Sequence, residues 1–522
     1  MDGPSPNDPR PTVAHVADLV ARNAARVPDQ AAVVDVTSAD SLTWADLDGA
    51  TSAEADRLVA AGVTPGDRVV VRLGNGVGFC VAVLGGLRAG AVVVPHGSVA
   101  VARELDVVFA DCRPSVIVAT DGDDAARESA GAVGAAVIAP PDLAARAVSR
   151  AGTGGGEDIA LLVYASGTTG APRGILLSHR ALLANREQTA ALRPAPVTPV
   201  DRVLVSLPLI HIFGLAAGFL QVCWAGATAV LTDRFAAADI AAILVDYRVS
   251  ALAGAPTMFR ALLDLPPGDL RAATAGVRLC TSGGAPLPPA WLAAFQEVAG
   301  LAIVDGYGLT EAGPIVTSNP LGAPPKPGSV GRPLPGVELR LVDAEGRPID
   351  SAHEPADDDD DLEIDIDEGD VGNDTGLVAV RGPNLFSGYW PDRAGGPDAE
   401  GWFRTADVGF LDADGDLHLV DRSSDVVIVS GFNVYPREVE QVLLSIGGVT
   451  EAAVIGQHDE RAGEVVKAVL VADPAAGVDE EAVRAYCAER LARFKVPAVI
   501  VFVDALPRTP TGKIARRQLA LS

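Results

Sequence analysis

Apolar runs rich in β-branched residues alternate with Ala- and Leu-rich stretches through the first four hundred residues of the chain. The run RVVVRL at 68–73 is followed by VAVLGGLRAG and AVVVP, and DIALLVYAS follows at 158–166. Buried parallel strands read as continuous apolar runs, and the connections between them are usually helices. The pattern therefore predicts an α/β fold with largely parallel sheets covered by helices on both faces.

The pattern changes twice in the remainder of the chain. After about residue 340, short strands and turns such as VELRLVDAEG and GFLDADGDLHLVD predict a small β-rich subdomain. From Val439 onward strands and helices alternate again, with a helix predicted at EEAVRAYCAERLARF. The C-terminal part is therefore expected to form a small α+β domain of its own.

Charge and cysteine content exclude several classes of protein. The net charge of -27, from 41 Lys and Arg against 68 Asp and Glu, excludes electrostatically driven binding to nucleic acid or anionic lipid. The five cysteines are scattered and lack CxxC spacing, so neither a disulfide framework nor a zinc site is predicted. Together with an N-terminus that lacks the features of a secretion signal, this makes a reducing cytoplasm the expected compartment.

Much of the negative charge lies in one segment. Residues 350–370 contain twelve acidic residues and no Lys or Arg. Blocks of like charge are usually solvated loops, although the alternation LEIDID also fits one edge strand with a polar face. The spacing lacks the glycine of a calcium-binding loop, so a solvated insert is predicted.

The segment Val203–Thr232 has thirty residues without a charged side chain, which is long enough to span a bilayer. It also contains Pro208, His211, Gln221 and three glycines. These residues divide it into the strand-like VLVSL, the loop PLIHIFG and the helix-like LAAGFLQVCWAG. A buried strand, loop and helix is predicted rather than a transmembrane span.

The segment Tyr164–Gly174, YASGTTGAPRG, follows directly on a predicted strand and has the composition of a phosphate-binding loop. Glycines let consecutive backbone N–H groups point at one anion, hydroxyl side chains add donors, and Arg173 adds positive charge. The Walker A pattern is absent, and no GxGxxG follows a strand, which argues against P-loop NTPase and Rossmann proteins. Taken alone, the segment could also be a tight turn.

This loop resembles the YTSGTTGxPKG signature of the adenylate-forming enzymes, the group of acyl-CoA synthetases, luciferases and peptide-synthetase adenylation domains. Eight further segments resemble motifs of that family and occur in its order. They are SLPLIHIFG (206–214), TSGGAPL (281–287), DGYGLTEAG (305–313), VGRPLPG (330–336), VRGPNLFSGYW (380–390), GWFRTADVG (401–409), DRSSDVVIVSGFNVYPREVE (421–440) and PRTPTGKIARR (507–517).

The resemblance implies an acyl-CoA synthetase/luciferase-like fold and a two-step reaction. A large N-terminal adenylation domain, residues 1–421, would bind ATP and the acyl group, and a small mobile domain, residues 422–522, would act as a lid. The implied reaction activates a carboxylic acid with ATP to acyl-AMP and pyrophosphate, and then transfers the acyl group to CoA. ATP, Mg²⁺ and CoA are the implied cofactor and co-substrates.

The resemblance also implies roles for individual residues. Thr310 would contact the α-phosphate, Glu311 and Thr168 would lie near Mg²⁺, and Lys513 would lie over the reacting carboxylate and α-phosphate. A carboxylate beside a phosphate site needs a cation between them, and Mg²⁺ takes oxygen ligands from both. The further ATP-binding residues implied are Ser166, Gly167, Thr169, Gly170, Arg173, Gly284, Ala285, Pro286, Asp305, Gly306, Tyr307, Gly308, Asp407 for the ribose hydroxyls and Arg422.

For the acyl group, the resemblance places His211 at the entrance of the channel. Phe213, Gly283 and Gly308 would line the pocket beside it. Amino-acid-activating members carry an Asp just after this position, whereas this chain has Ile212. A free amino acid is therefore not the expected substrate. The segments SLPLIHIFGLAAGF and AGAPTMFRALL most resemble medium- and long-chain fatty acyl-CoA ligases, which implies a medium- or long-chain fatty acid as the substrate. For the thiolation step, Ser430, Gly431 and Asn433 are the implied residues, and Ser424 is the implied hinge.

Three positions depart from the family pattern, and several alternatives stay open. Arg173 replaces the loop lysine, Ala406 replaces the glycine before Asp407, and Ser424 replaces the usual Lys or Asp of the hinge. These changes put the rate in doubt rather than the type of reaction. The alternatives are a fatty-acyl-AMP ligase that loads a carrier protein, a ligase for aryl or other carboxylates, and a noncatalytic nucleotide-binding sensor. The chain could be a monomer or a homodimer.

Overall fold

The structure is a computed structural model of the 522-residue chain, which divides into two compact units. It describes residues 13–98, 100–166, 172–349, 375–422, 425, 427–429, 432–459, 463–508 and 514–519. The first unit contains residues 1–325, 333–337 and 381–401, and the second contains residues 326–332, 338–380 and 402–522. The predicted division at residues 421 and 422 stays a prediction.

The first unit consists of parallel strands and the helices that connect them. Its strands are β1 (Ala31–Asp35), β2 (Ser41–Thr43), β3 (Arg68–Arg72), β4 (Val92–Pro95), β5 (Val116–Ala119), β6 (Ala136–Ile138), β7 (Ile159–Ser166), β8 (Pro172–Ser178), β9 (Arg202–Val205), β10 (Thr228–Leu231), β11 (Ala251–Gly254), β12 (Leu279–Ser282), β13 (Ile303–Gly308), β14 (Ile315–Ser318) and β15 (Arg332–Pro333). Its α-helices are α1 (Asp18–Arg26), α2 (Trp44–Ala60), α3 (Val77–Arg88), α4 (Ala102–Cys112), α5 (Asp124–Val133), α6 (His179–Ala190), α7 (Gln221–Ala225), α8 (Ala237–Asp246), α9 (Pro256–Leu262), α10 (Pro267–Thr274) and α11 (Pro289–Ala299).

These strands form two sheets. The larger sheet has nine strands in the order β15-β14-β13-β12-β11-β9-β10-β1-β2, and the smaller has six in the order β6-β5-β3-β4-β7-β8. Pairing is parallel from β13 through β12, β11, β9 and β10 to β1, and from β6 through β5, β3 and β4 to β7. The predicted α/β fold with parallel sheets is confirmed.

The second unit is richer in antiparallel strands. Its strands are β16 (Glu338–Val342), β17 (Gly376–Arg381), β18 (Trp402–Leu411), β19 (Leu417–Arg422), β20 (Val427–Val429), β21 (Phe432–Val434), β22 (Val449–Asp459), β23 (Gly463–Ala472) and β24 (Val499–Phe502), and its α-helices are α12 (Pro436–Leu444), α13 (Glu480–Ala488) and α14 (Arg516–Leu519). β16 to β19 form a four-stranded sheet, and β20 to β24 form a five-stranded sheet. The predicted β-rich segment and α+β segment correspond to these two sheets.

The nine-, six- and five-stranded sheets bury their apolar strands against helices. In the larger sheet, Leu204, Leu252 and Ile303 pack with Phe259 and Phe295, whose rings meet edge to face with centroids 5.4 Å apart. All five cysteines are buried and free of disulfide bonds, as their scattered spacing predicts. Burial of continuous Val, Ile and Leu runs on both faces is what selects parallel pairing here.

The apolar segment Val203–Thr232 is folded within the first unit. It contains most of β9, a loop, a π-helix over Phe213–Leu220, the short α7, and β10. The structure thus adds a second strand and replaces the expected regular helix by a π-helix that continues into α7. None of the described helices is long and apolar enough to cross a bilayer. The acidic insert at 350–370 lies outside the described residues.

Two buried histidines meet where the start of the first unit joins α6. His15 and His179 are 1% and 2% exposed, with ring centroids 4.0 Å apart. His179 Nδ1 accepts a hydrogen bond from the Val16 N–H at 3.1 Å, and His15 Nε2 lies 3.0 Å from the Leu87 carbonyl oxygen. Burial and the neighbouring His15 lower the pKa of His179 to about 3. The pair therefore stays neutral in the folded protein at neutral pH.

This pair predicts acid sensitivity of the fold. Below pH 6.5 the unfolded chain binds a proton at His179 that the folded chain does not. The free energy of unfolding therefore decreases as the pH is lowered from 6.5 to about 3. For a single histidine the loss is about 2 kcal/mol at pH 5. His179→Gln keeps a hydrogen-bond acceptor but cannot bind this proton. Between pH 7 and pH 5 its free energy of unfolding, measured with urea, should therefore decrease by about 2 kcal/mol less than that of the wild type. The same change at the exposed His458 is the control, and equal pH responses of all three proteins would contradict the prediction.

Candidate active site

Three of the predicted nucleotide and acyl motifs lie at the carboxyl ends of parallel strands in the larger sheet. The loop that carries His211 follows β9, the segment Gly283–Pro286 follows β12, and Asp305 lies in β13 opposite Ser282 of β12. Parallel strands end at the same edge of their sheet, so motifs far apart in sequence are brought together there. This edge is where open α/β sheets bind ligands.

Gly308 allows a close approach of β13 and β14. A Cβ atom at this position would lie 2.1 Å from the Pro314 carbonyl oxygen, closer than any side chain permits. The two strands can therefore turn tightly around a 3₁₀ turn over Thr310–Ala312. Gly308 is exposed and Thr310 is half-buried, so both are open to a ligand.

Glu311 in this turn is held by the segment around Tyr389. The Phe386 N–H donates to the Glu311 carbonyl oxygen at 2.8 Å, and the Tyr389 hydroxyl donates to Glu311 Oε1 at 2.8 Å. In the described part of the chain, the side-chain hydrogen bond of Glu311 falls on Oε1, which leaves Oε2 to a cation. The carboxylate is half-buried and therefore positioned without being closed off.

The phosphate-binding loop is carried by the antiparallel hairpin of β7 and β8. Ala165 pairs with Arg173 and Ser166 with Pro172, while the tip of the loop, residues 167–171, lies outside the described residues. The guanidinium carbon of Arg173 lies 3.4 Å from the centroid of the Tyr389 ring. The hairpin thus brings Arg173 next to the segment that holds Glu311.

Tyr389 contacts two predicted site residues, Arg173 and Glu311, and the sequence did not single it out. It lies within the motif VRGPNLFSGYW, but the motif alone did not show that its ring meets Arg173 while its hydroxyl meets Glu311. Burial, together with the negative charge of Glu311, raises the pKa of Tyr389. The phenol therefore stays protonated and acts as a hydrogen-bond donor to the carboxylate.

The base of the same hairpin is tied down by a second tyrosine. The Tyr164 hydroxyl donates to the Asp111 carboxylate at 2.5 Å, and burial with this carboxylate raises the pKa of Tyr164. The Trp390 indole N–H donates to the Asp111 carbonyl oxygen at 3.2 Å. The strands that lead into the loop are therefore fixed to the end of α4.

On the acyl side, the loop after β9 packs against the segment after β12. A Cβ atom at Gly283 would lie 3.0 Å from Cζ of Phe213, so the ring of Phe213 lies directly against the backbone there. His211 is half-buried, and its N–H donates to the Pro208 carbonyl oxygen at 3.0 Å. Ile212 is 2% exposed. The structure thus brings together Phe213 and Gly283, which the sequence assigns to the acyl pocket.

The remaining predicted residues of the first unit are arranged around these contacts. Asp305 and Gly306 are half-buried, Tyr307 is buried, and Gly284, Ala285 and Pro286 are exposed. The Tyr307 N–H donates to the Thr317 hydroxyl at 3.3 Å. Their assignment to adenine and ATP binding stays a prediction.

A buried polar network lies beneath the turn that carries Glu311. Arg186 on α6 is fully buried, and its guanidinium donates to the Ala216 carbonyl oxygen of the π-helix at 2.8 Å and to the Gly313 carbonyl oxygen at 3.1 Å. Asn185 Nδ2 donates to the Ile315 carbonyl oxygen at 2.7 Å. Burial lowers the pKa of Arg186, which still carries its charge at neutral pH. The network joins the acyl-side helix to the Glu311 turn.

In the second unit, Asp407 and Arg422 are partners in the β18–β19 pair. The Asp407 N–H donates to the Thr405 hydroxyl at 3.1 Å, and that hydroxyl donates to the Val378 carbonyl oxygen at 2.8 Å. The two positions that the sequence assigns to ribose and phosphate contacts are therefore opposite each other on adjacent strands. Their roles stay predictions.

Several predicted residues lie outside the described residues, so the structure gives them no place. These are Gly167, Thr168, Thr169, Gly170, Ser424, Ser430, Gly431 and Lys513. Asn433 lies in β21 opposite Ile428 of β20. The segment that follows Lys513 is anchored, because Arg516 pairs with Glu440 at 2.8 Å.

A group of three carboxylates in the second unit has the spacing of a cation site. Asp412, Asp414 and Asp416 lie close together, but Lys326 Nζ lies 2.5 Å from Asp412 and 2.8 Å from Asp414, and Arg332 donates to Asp416 at 2.8 Å. The chain's own cations therefore neutralise this group. For Mg²⁺ beside a phosphate, the partly open carboxylate of Glu311 is the fitting donor in the described first unit.

The described site therefore combines a parallel-sheet edge with a carboxylate, that of Glu311, which Tyr389 holds in place. The AMP-binding enzyme family matches residues 20–390, and the AMP-binding enzyme C-terminal domain matches residues 438–513. The chain belongs to the AMP-binding enzyme family. It is an AMP-forming acid–thiol ligase, which uses ATP and CoA and proceeds through an acyl-AMP.

Three relatives illustrate the range of the similarity. A feruloyl-CoA synthase of Amycolatopsis sp is 34% identical over 495 residues, which cover 92% of this chain and 93% of that one. A long-chain-fatty-acid–CoA ligase of Escherichia coli O157:H7 is 31% identical over 551 residues, covering 97% and 94%. The structure of ATP-bound MatB from Rhodopseudomonas palustris has a TM-score of 0.86 and 32% identity, covering 97% and 98%.

The buried network predicts a large cost for the loss of Arg186. Replacement by Met leaves the carbonyl oxygens of Ala216 and Gly313 buried without these donors, and each unsatisfied group costs about 1–3 kcal/mol. We expect Arg186→Met to lower the free energy of unfolding by about 3 kcal/mol or more, measured by urea unfolding. Arg193 also donates to backbone carbonyl oxygens but is exposed, so Arg193→Met should stay within about 0.5 kcal/mol of the wild type. Equal effects of the two changes would contradict this account.

Proposed function

We propose that this ligase activates a medium- or long-chain fatty acid and transfers it to CoA, with Mg²⁺ as the metal cofactor. The observation that carries the proposal is the apolar character of the loop after β9. Ile212 is buried where amino-acid-activating relatives carry an Asp, and the ring of Phe213 lies against the Gly283 backbone. An α-ammonium group would have no carboxylate partner at Ile212, whereas an alkyl chain gains about 0.8 kcal/mol per buried CH₂.

In the first step, a carboxylate oxygen of the fatty acid attacks the α-phosphorus of ATP. The new P–O bond replaces the bond to the bridging oxygen, and pyrophosphate leaves with that electron pair. Lys513 offsets the repulsion between the two anions, and Thr310 hydrogen-bonds the α-phosphate. Arg173 and the backbone N–H groups of residues 166–170 bind the β- and γ-phosphates.

Mg²⁺ would be held by Glu311, assisted by Thr168, and it supplies neutralisation of phosphate charge when bound. Glu311 fits this role because one carboxylate oxygen is fixed by Tyr389 and the other is left to a cation. On the nucleotide side, Asp407 accepts hydrogen bonds from the ribose hydroxyls, and Gly284–Pro286 with Asp305–Tyr307 enclose the adenine.

In the second step, the sulfur of CoA attacks the carbonyl carbon of acyl-AMP. The thiol proton is lost, the C–S bond forms, and AMP leaves with the electrons of the former C–O bond. The small C-terminal domain turns about Ser424 between the steps, so that Lys513 is withdrawn and the segment of Ser430, Gly431 and Asn433 lines the path of the thiol. One lid then serves two chemically different steps.

A second candidate substrate is an aromatic carboxylic acid. The feruloyl-CoA synthase that covers 92% of this chain favours it, and the ring of Phe213 offers a flat apolar surface to an aryl group. An alkyl chain and an aryl ring make different demands on pocket length. A chain-length series therefore separates the two candidates.

We expect kcat/KM for pyrophosphate release with CoA to rise along a series of unbranched fatty acids until the chain reaches the end of the pocket. Each added CH₂ that is buried should raise kcat/KM about two- to fourfold. α-Amino acids should be poor substrates. A flat series with high activity on cinnamate-type acids would identify an aryl-CoA ligase instead. Acyl-AMP that accumulates with CoA present but is consumed by a carrier protein would identify a carrier-loading ligase.

The two half-reactions should be separable by two substitutions. Lys513→Ala removes a charge needed only for adenylation, so acyl-AMP formation should fall about 10²-fold or more while thiolation of supplied acyl-AMP survives. Gly431→Trp should block the thiol's path and leave ATP–pyrophosphate exchange largely intact. Thermal melting provides the control for folding. Equal loss of both steps in both variants would reject the alternating lid, and nucleotide binding without any exchange would indicate a noncatalytic sensor.

A further inference from the structure

We propose that Tyr389 is a positioning residue of the phosphate site, with two separable functions: its ring fixes the guanidinium of Arg173, and its hydroxyl fixes the carboxylate of Glu311. The inference rests on the proposed function in one respect, that Arg173 meets phosphate and Glu311 meets the metal ion. It goes beyond that function because it assigns one side chain to the orientation of both charged groups.

The backbone around Tyr389 is fixed to the hairpin that carries Arg173. The Leu176 N–H donates to the Gly388 carbonyl oxygen at 3.1 Å, and the Trp390 N–H donates to the Gly174 carbonyl oxygen at 2.9 Å. The ring of Phe386 meets the Tyr389 ring edge to face, with centroids 4.9 Å apart. The aromatic ring is therefore held in place by the same strand, β8, that begins beside the phosphate loop. Such support is what a positioning group requires.

The face of the ring suits the guanidinium of Arg173. At 3.4 Å from the ring centroid the cation lies in van der Waals contact with the aromatic face. A guanidinium stacked on a ring keeps its N–H groups at its edge, where they can bind phosphate oxygens. Gly395 lies beside this contact, where an added Cβ would come within 3.1 Å of Tyr389 Cδ2 and 3.3 Å of Arg173 Nη2. Arg173 thus lies against the ring while its side chain stays exposed and open to a ligand.

The hydroxyl suits the carboxylate of Glu311. As a donor at 2.8 Å it occupies Oε1 without neutralising the negative charge. Groups that hydrogen-bond a metal ligand in this way are typically worth 10- to 100-fold in metal affinity. The tyrosine also keeps its two partners at different places, Arg173 on the ring face and Glu311 at the hydroxyl. No ion pair between described residues joins the two side chains, so neither charge cancels the other.

Two substitutions separate the two functions. Tyr389→Phe keeps the ring and removes the hydroxyl, so the affinity of Mn²⁺ for the protein–ATP complex should fall about tenfold, measured by electron paramagnetic resonance. ATP binding in EDTA, measured by calorimetry, should stay within about twofold. Tyr389→Leu removes both functions and should also weaken metal-free ATP binding about threefold, the scale of a cation–π contact. In a Glu311→Gln background, Tyr389→Phe should have no further effect on Mn²⁺ affinity.

Tyr486 provides a matched control in the second unit. Arg490 lies 3.6 Å from its ring centroid, and its hydroxyl lies 3.2 Å from that of Ser445, outside the nucleotide motifs. Tyr486→Phe should change neither affinity. Unchanged Mn²⁺ affinity in Tyr389→Phe, or equal affinities of Tyr389→Phe and Tyr389→Leu for ATP in EDTA, would overturn the inference. Because these measurements need no carboxylic acid, a wild-type protein that binds ATP and Mn²⁺ but activates no acid would refute the proposed function alone.

Discussion

Parallel pairing of β9, β11, β12 and β13 is the constraint on which the rest of the first unit depends. It brings the loop after β9, the glycines after β12 and the turn after β13 to one edge, although about one hundred residues separate the first from the last. The free energy that enforces it comes from burying Val, Ile and Leu on both faces of the sheet. The site residues add little to this burial. Their positions instead follow from the sheet that the burial stabilises.

Once the edge exists, polar contacts set the distances within it. Arg186 spans from the π-helix to the Gly313 carbonyl oxygen, so the acyl-side helix and the Glu311 turn share one buried cation. Tyr389 spans from Arg173 to Glu311 in a similar way. Taking the Arg186 guanidinium out of water costs several kcal/mol, which its hydrogen bonds to the backbone must offset. The site thus combines an apolar scaffold with a few polar groups that fix its geometry.

The sequence predicts the fold class well because apolar periodicity reports burial directly. It predicts the loop around Tyr164–Gly174 and the carboxylate Glu311 because glycine, hydroxyl and charge patterns are local. It does not predict the contacts of Arg186 and Tyr389, because these contacts are distant in sequence. Gly313 lies 127 residues from Arg186, and Glu311 lies 78 residues from Tyr389. The π-helix at Phe213–Leu220 was also missed, because an apolar run does not distinguish it from a regular helix.

The substitution of the loop lysine by Arg173 can be understood from the same geometry. A lysine ammonium is a compact point charge on a flexible stem, whereas a guanidinium is planar and stacks on an aromatic face. Tyr389 presents such a face, with its ring centroid 3.4 Å from the guanidinium carbon of Arg173. The planar guanidinium can therefore stack on this ring, whereas a compact ammonium would meet the ring face less extensively. The departure from the family pattern and the position of Tyr389 are therefore two aspects of one contact.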